Sequence, residues 1–280
     1  MEPGNSPSQN PFDPNQFKPN GERVKRSHWA VMIFLLVALI VLVGWLVVRR
    51  FKQATGWFHN KGNEVAVGKY GNRRFDTTYA QPFDPSVKAA KLTLNGGASI
   101  YKISDTTNQL FRADAMLFHS RYGLNGHKED SIYTMDLTMK SKSSTQFGTQ
   151  SDSVNLKLNL APIWDITVNT GETDLDFDLS KYKLRNFKID GSAGSFSVKL
   201  GSPFAQTIVR IGVGAADVTI SIPKSAACRI EEHAAISSTT FNGFDKKVDG
   251  SYQTAGYSSA KNKILIYFVG GVSDFKVQKY

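Results

Sequence analysis

Cysteine is nearly absent from this chain, with Cys228 alone among 280 residues. That excludes an internal disulfide framework and any zinc site built from several thiolates. It leaves Cys228 to pack as a small apolar side chain. Histidine is sparse as well: His28, His59, His119, His127 and His233 show no metal-ligand spacing on a helix. His127, with Glu129 and Asp130, falls in the polar stretch GLNGHKED, which reads as a solvated loop. No phosphate-cradling glycine motif opens a helix, and no nucleophile elbow is present. The net charge of +10 divides as +4 over residues 1–53 and +6 over residues 54–280, scattered without the Lys/Arg stripe and interleaved aromatics that nucleic acid requires. The expectation is a protein with no cofactor, no metal and no nucleic-acid partner, and not an enzyme.

What the chain does have is a repeat. Residues 164–222 hold three two-strand units in a row, WDITVNTGETDLDFDL, FKIDGSAGSFSVKL and VRIGVGAADVTISI. Aligned on the turn, Gly171, Ser192 and Gly214 share a column, 21 and then 22 residues apart. Apolar residues alternate on both sides of it: Ile166 and Val168 with Leu175, Phe177 and Leu179; Phe187 and Ile189 with Phe196, Val198 and Leu200; Val209 and Ile211 with Val218, Ile220 and Ile222. Period-2 alternation around a small-residue corner, repeated at a fixed step, predicts an all-β fold. The step predicts a β-solenoid, right-handed and β-helix-like, with rungs of about 21 residues. An antiparallel sandwich with a hairpin at each corner is the alternative.

Two more segments carry the unit. KILIYFVGGVSDFKV turns at Gly271, and KLTLNGGASIYKI turns at Gly97, with Gly96 as a competing corner one residue out of phase. Across residues 86–160, AKLTL, ASIYKI, LFRADAMLFHS, SIYTMDLTMK and SVNLKLNLA read as strands, whereas residues 228–260 read as a side-loop with one or two short strands. The outward rows are Asp174, Asp176 and Asp178, then Ser195, Ser197 and Lys199, then Asp217, Thr219 and Ser221. In-register stacking puts Asp178 over Lys199 and Asp174 over Ser195. Three carboxylates on one strand face suit a hard cation, but no carbonyl loop or fourth acid accompanies them, and a solvated outer face is the expectation. A glycan-cleaving pair would need acids on adjacent rungs; Asp174 and Asp217 stand two rungs apart.

The N-terminal third is different. Residues 1–28 form a Pro-rich tail, with five of the ten prolines before residue 23, too polar to offset its ordering entropy. Residues 29–48 form an uncharged run, WAVMIFLLVALIVLVGWLVV, long enough as a helix to span about 30 Å of hydrocarbon. Trp29 and Trp45 lie near its ends and Arg49-Arg50 follow it, so a retained single-pass anchor is expected, with the lipid bilayer as partner. Residues 49–85 read as a juxtamembrane segment and linker, and residues 86–280 as the solenoid. Basic residues are balanced across the run, so the expectation that the solenoid lies outside the cell rests on its Ser/Thr/Asn-rich surface and the short tail before the anchor.

The rung pattern, with Ile163-Trp164-Asp165, WDITVNTGETDLDFDLS, VRIGVGAADVTISIPKSA and the closing VGGVSDFKV, resembles the bacterial toast-rack domain of LiaF-like proteins of the cell-wall-active antibiotic response and of related adhesin-type proteins. The resemblance covers about residues 86–280. It implies a membrane-anchored binding or scaffold module of the cell envelope, in contact with another envelope protein or a cell-wall polymer and linked to cell-wall stress. A structural surface protein or adhesin is the alternative, and a glycan-active enzyme is the third reading. A single membrane run, where LiaF-like proteins carry several, departs from the family and argues against direct kinase regulation. The resemblance supplies no catalytic residues.

Overall fold

The computed structural model describes residues 74–118, 120–141 and 151–280, all within one compact unit, Lys61–Tyr280. The expectations for the tail, for the membrane run with Trp29, Trp45, Arg49 and Arg50, and for His28, His59 and His119 lie outside the described residues. Among the described residues no helix is long and apolar enough to cross a membrane.

The described chain is all-β. Its first half contains β1 (Phe75–Gln81), β2 (Ala89–Asn95), β3 (Ser99–Thr106), β4 (Phe111–Leu117), β5 (Ser120–Glu129), β6 (Ile132–Ser141) and β7 (Asp152–Leu158). Four long strands carry the repeat and its continuation: β8 (Ile163–Leu179), β9 (Lys183–Leu200), β10 (Gln206–Ile222) and β11 (Ala227–Phe241). Two short strands, β12 (Asp245–Lys246) and β13 (Tyr252–Gln253), precede the last long one, β14 (Lys263–Lys279).

Each long strand is one rung bent in the middle. In β8 the buried positions are 164, 166 and 168, then 173, 175, 177 and 179, so the inward phase flips across residues 169–172. A strand that changes phase at a bend presents both of its arms to the same interior. Stacking the bent strands makes two sheets that face each other over one core: a first-arm sheet before the bend and a second-arm sheet after it. Phe177 on a second arm meets Phe187 on a first arm at 6.2 Å between centroids, and Phe268 stacks on Phe275 at 4.1 Å. Trp164, Tyr101 and Phe196 are also fully buried between the arms.

The rungs stack parallel and in register, which decides between solenoid-like stacking and an antiparallel sandwich. Ile166 pairs with Phe187 and Phe187 with Val209; Phe177 pairs with Val198 and Val198 with Ile220. Broken at residues 96–98, β2 and β3 together make one rung against β8, with Leu92 opposite Ile166 and Ile103 opposite Phe177.

At both ends the spatial order departs from the chain order. On one side, β14 pairs with both β10 and β11, so the last strand lies between two earlier ones. On the other, β6 and β7 form a parallel rung outside β2 and β3, and β5 and β4 add an antiparallel layer beyond that. The expected side-loop over residues 228–260 is therefore corrected: β11 is a full bent rung, paired with β14 along both arms. Its inward row is broken by Glu232, opposite Phe268, and Thr239, opposite Phe275, which hid the alternation. The expected loop GLNGHKED is corrected too, because β5 runs through it as the partner of β6. Strand β1 falls within residues 49–85, read as linker, yet pairs antiparallel with β4 from Phe75 to Gln81.

Unpaired strand edges invite association, and this fold covers one of them. Strand β13 pairs antiparallel with β11 at Arg229 and Ile230, and Phe241 packs against Tyr252 at 4.9 Å and Phe244 at 6.4 Å over the end of the core.

Two predictions follow from the inward phase and the tight stacking. Phe177→Ala removes a fully buried ring and costs about 3–5 kcal/mol, whereas Asp176→Asn, whose carboxylate lies 3.7 Å from Lys102 in an exposed ion pair, costs at most about 1 kcal/mol. Urea unfolding of both variants measures this, and equal losses would mean the phase is misassigned. At the bend, a Cβ on Gly214 would lie 2.6 Å from the Ser192 carbonyl oxygen, while one on Gly171 would meet nothing within 4 Å. Gly214→Ala is expected to destabilise by about 1–3 kcal/mol and Gly171→Ala to leave the melting temperature nearly unchanged.

Candidate functional surfaces

The bend brings together most of the residues singled out by the repeat. Gly171, Ser192, Gly214 and Gly271 occupy one level, each in the one-residue gap of the ladder between paired neighbours. Gly97 stands at that level in the broken rung, since Asn95 pairs with Asn169 and Ser99 with Thr173. Gly96 is the neighbour whose added Cβ would strike the Tyr101 side chain. At Gly271 a Cβ would lie 2.6 Å from the Gly214 carbonyl oxygen, so at Gly214 and Gly271 the residue is set by backbone approach. The column is a structural feature, and it presents no reactive group.

Beside the bend lies a buried polar network that the sequence reading missed. Asp152 is 3% exposed and accepts hydrogen bonds from the backbone N–H of Phe118 at 2.5 Å, from that of Ser120 at 3.1 Å and from the Ser120 hydroxyl. These contacts tie the turn between β4 and β5 to the start of β7. The hydroxyls of Tyr101 and Tyr122 are 2.5 Å apart, and that of Ser99 lies 3.3 Å from Tyr122. Burial pushes both tyrosine hydroxyls upward in pKa, which keeps them neutral. A second knot closes the far end of the rungs. The Asn159 amide donates to the carbonyls of Thr107, Asn108 and Gln109, and the Trp164 indole donates to the Asn159 carbonyl at 2.8 Å. Nearby, the Tyr182 hydroxyl, pushed up to about 12 by burial, donates to the Asp105 carbonyl at 2.9 Å. Nothing in the alternation marks Asp152, which takes an inward position at the start of β7, or Asn159, which follows the last residue of that strand.

The outward Asp row is engaged with its neighbours. Asp178 lies 3.3 Å from Lys199 on the next rung and accepts from the Ser180 hydroxyl; burial acts upward on its carboxyl, but the bonds from Ser180 and Lys199 outweigh it and hold the group below the usual carboxylate range. Asp174 stands opposite Ser195, and Ser195 opposite Asp217, so the two acids are two rungs apart. Among the described residues no group of three or more His, Cys, Asp or Glu could hold a metal ion. On the first-arm sheet, Asp165 pairs with Arg185 and accepts from Asn186 at 2.7 Å; burial raises its carboxyl, and these two partners bring it down below its ordinary value. His127 and His233 are exposed on β5 and β11. Cys228 is buried, and burial raises its thiol well above the ordinary value, the environment of a packing residue.

The described rungs also present two broad, exposed sheet faces, one per arm. Their side chains are mostly charged or hydroxylic, with part-buried Ile208, Leu265 and Tyr267 and exposed Val269 on the first-arm face. Arg210 lies over the Tyr267 ring at 5.4 Å, and Lys263 over the Tyr257 ring at 5.3 Å.

Comparison with known proteins matches this architecture. Residues 69–221 match the family model described as the N-terminal domain of toast_rack, DUF2154. None of the curated proteins matches the chain in sequence. Among solved structures, a putative cell adhesion protein from Clostridium sporogenes superposes with a TM-score of 0.65 at 19% identity, over 73% of this chain and 99% of that one. A putative adhesin from Bacteroides fragilis covers 75% of this chain and 98% of its own, at 6% identity and a TM-score of 0.26, too low to support any inference. The first likeness shows the fold, and the family match, spanning more than half of the chain, shows the lineage. This chain belongs to the toast-rack family.

Proposed function

We propose that this chain is a non-enzymatic, membrane-anchored binding or scaffold module of a bacterial cell envelope. The observation that carries the reading is the disposition of polar groups. The buried ones, such as Asp152, Asn159 and Tyr101, hold strands together, and the exposed ones cover two broad sheet faces suited to a macromolecular partner. Support for anchoring comes from the uncharged run over residues 29–48 with Trp29 and Trp45 near its ends and Arg49 and Arg50 after it. The partner in this reading is another envelope protein or a cell-wall polymer, and the sheet domain lies on the extracytoplasmic side of the membrane.

A second reading, a surface adhesin, is favoured by the description of the Clostridium sporogenes structure as a putative cell adhesion protein. A role in cell-wall stress rests on the likeness to LiaF-like proteins.

Two measurements test these readings. Purified cell-wall sacculi, mixed with the full-length chain in detergent, should retain it saturably; retention no greater than that of an unrelated protein of similar pI would sink the wall-binding reading, while clumping of cells that display the chain would favour the adhesin. Protease added to intact spheroplasts should remove the sheet domain and spare the N-terminal tail. A sheet domain that is degraded only after lysis would reverse the orientation.

A further inference from the structure

The two faces of the solenoid carry opposite charge. From the β2–β3 rung to β11, the outer side of the first-arm sheet presents seven Lys or Arg, among them Lys91, Lys188, Arg210 and Lys263, against three acids, Asp165, Asp190 and Glu231. Over the same rungs the second-arm sheet presents six Asp, among them Asp174, Asp176, Asp217 and Asp274, against Lys102, Lys199 and Lys276. The faces are therefore about +4 and −3. The outward residues of β1, β4, β5, β6 and β7 add charges of both signs and leave the difference in place.

A second feature points the same way. Asp217 and Asp274 are directly opposite each other on neighbouring parallel strands. Like charges so placed repel and destabilise the sheet. Both are exposed, so a cationic surface laid against this face would relieve the repulsion. The other face of the same molecule is such a surface.

We infer that copies of this chain associate side by side, the basic first-arm face of one against the acidic second-arm face of the next. Contact between two different faces is heterologous, so it leaves one basic and one acidic face free at the ends and extends into a row. Six strands about 4.8 Å apart, each arm about seven residues long, give a face of roughly 650 Å². That is somewhat below the ~800 Å² per partner of a stable complex. The association is accordingly weak, driven by charge, and suited to molecules concentrated on one surface.

The test uses the full-length chain in nonionic detergent with single exposed cysteines and a flexible bismaleimide. Cys228 is buried, so the unaltered chain serves as a blank. Thr167→Cys marks the first-arm face, Ser197→Cys the second-arm face, and a third variant carries both. At about 20 mM salt, where the screening length is roughly 20 Å, the double variant should give a covalent ladder extending past the dimer while each single variant stays monomeric. Raising the salt to about 0.5 M, where screening falls to roughly 4 Å, should reduce the cross-linked fraction about fivefold or more. Adding Lys188→Glu with Arg210→Glu should do the same, and so should Asp217→Lys with Asp274→Lys, with circular dichroism confirming that the sheet persists in each. The inference is overturned if the double variant stays monomeric, if either single variant cross-links as well as the double, or if neither charge reversal changes the ladder. Retention of the chain on immobilised inorganic polyphosphate without any ladder would also overturn it, and would assign the basic face to an anionic polymer.

Discussion

The structure depends on parallel, in-register stacking of bent strands. Once Ile166, Phe187 and Val209 sit at one level on the first arms, and Phe177, Val198 and Ile220 at one level on the second, the inward and outward phase of these arms is fixed. A slip of one residue would turn each inward row outward. At the bend, Gly214 and Gly271 lack the Cβ that would strike the backbone of the neighbouring rung. The core is thus a stack of short apolar layers, with Phe177 against Phe187 and Phe268 against Phe275 bridging the two sheets.

A stack of rungs must end, and this one ends by reordering. At one end β14 inserts between β10 and β11, and at the other the β6–β7 rung lies outside the earlier β2–β3 rung. The first of these places an apolar rung inside and a more polar one outside. Strand β11 offers Glu232 and Thr239 where β14 offers Phe268 and Phe275. The outer rungs are then tied down: Asp152 secures the turn into β5, and the Phe241, Phe244 and Tyr252 rings cover the end beyond β11. Outside this closed interior, the two outer faces carry opposite net charge and are chemically distinct surfaces.

How much of this could be read from the sequence follows from what each residue had to satisfy. The rows around Gly171, Ser192 and Gly214 were legible because burial imposes period-2 alternation and stacking imposes a constant step. The cross-rung pair of Asp178 and Lys199 was legible for the same reason, and it forms at 3.3 Å. The order of the strands was not legible. Strands β10 and β14 present matching inward rows, and alternation cannot say which neighbour a parallel strand will choose. The alternation of β11 is hidden because its inward row includes Glu232 and Thr239, and that of β5 because Gly123, Gly126 and four charged or imidazole side chains dilute it. Asp152 and Asn159 were hidden because a buried polar residue is recognisable only by its partners, and theirs lie more than thirty residues away in Phe118, Ser120 and Thr107. The faces were visible as rows of charge, but their difference in sign appears only when the rows are sorted by arm.

The order of the last three rungs is the feature that sequence alone would arrange otherwise, and disulfide formation tests it directly. Thr219, Lys276 and Thr240 share one outward level on β10, β14 and β11. Neighbouring strands are about 4.8 Å apart, within the Cα separation a disulfide accepts, whereas strands two apart are separated by nearly 10 Å, beyond it. A chain carrying Thr219→Cys and Lys276→Cys should therefore oxidise readily, as should one carrying Lys276→Cys and Thr240→Cys, while the Thr219→Cys, Thr240→Cys chain should keep both thiols free. Ready bridging of positions 219 and 240, with none between 219 and 276, would place β11 directly beside β10 and contradict the inserted strand.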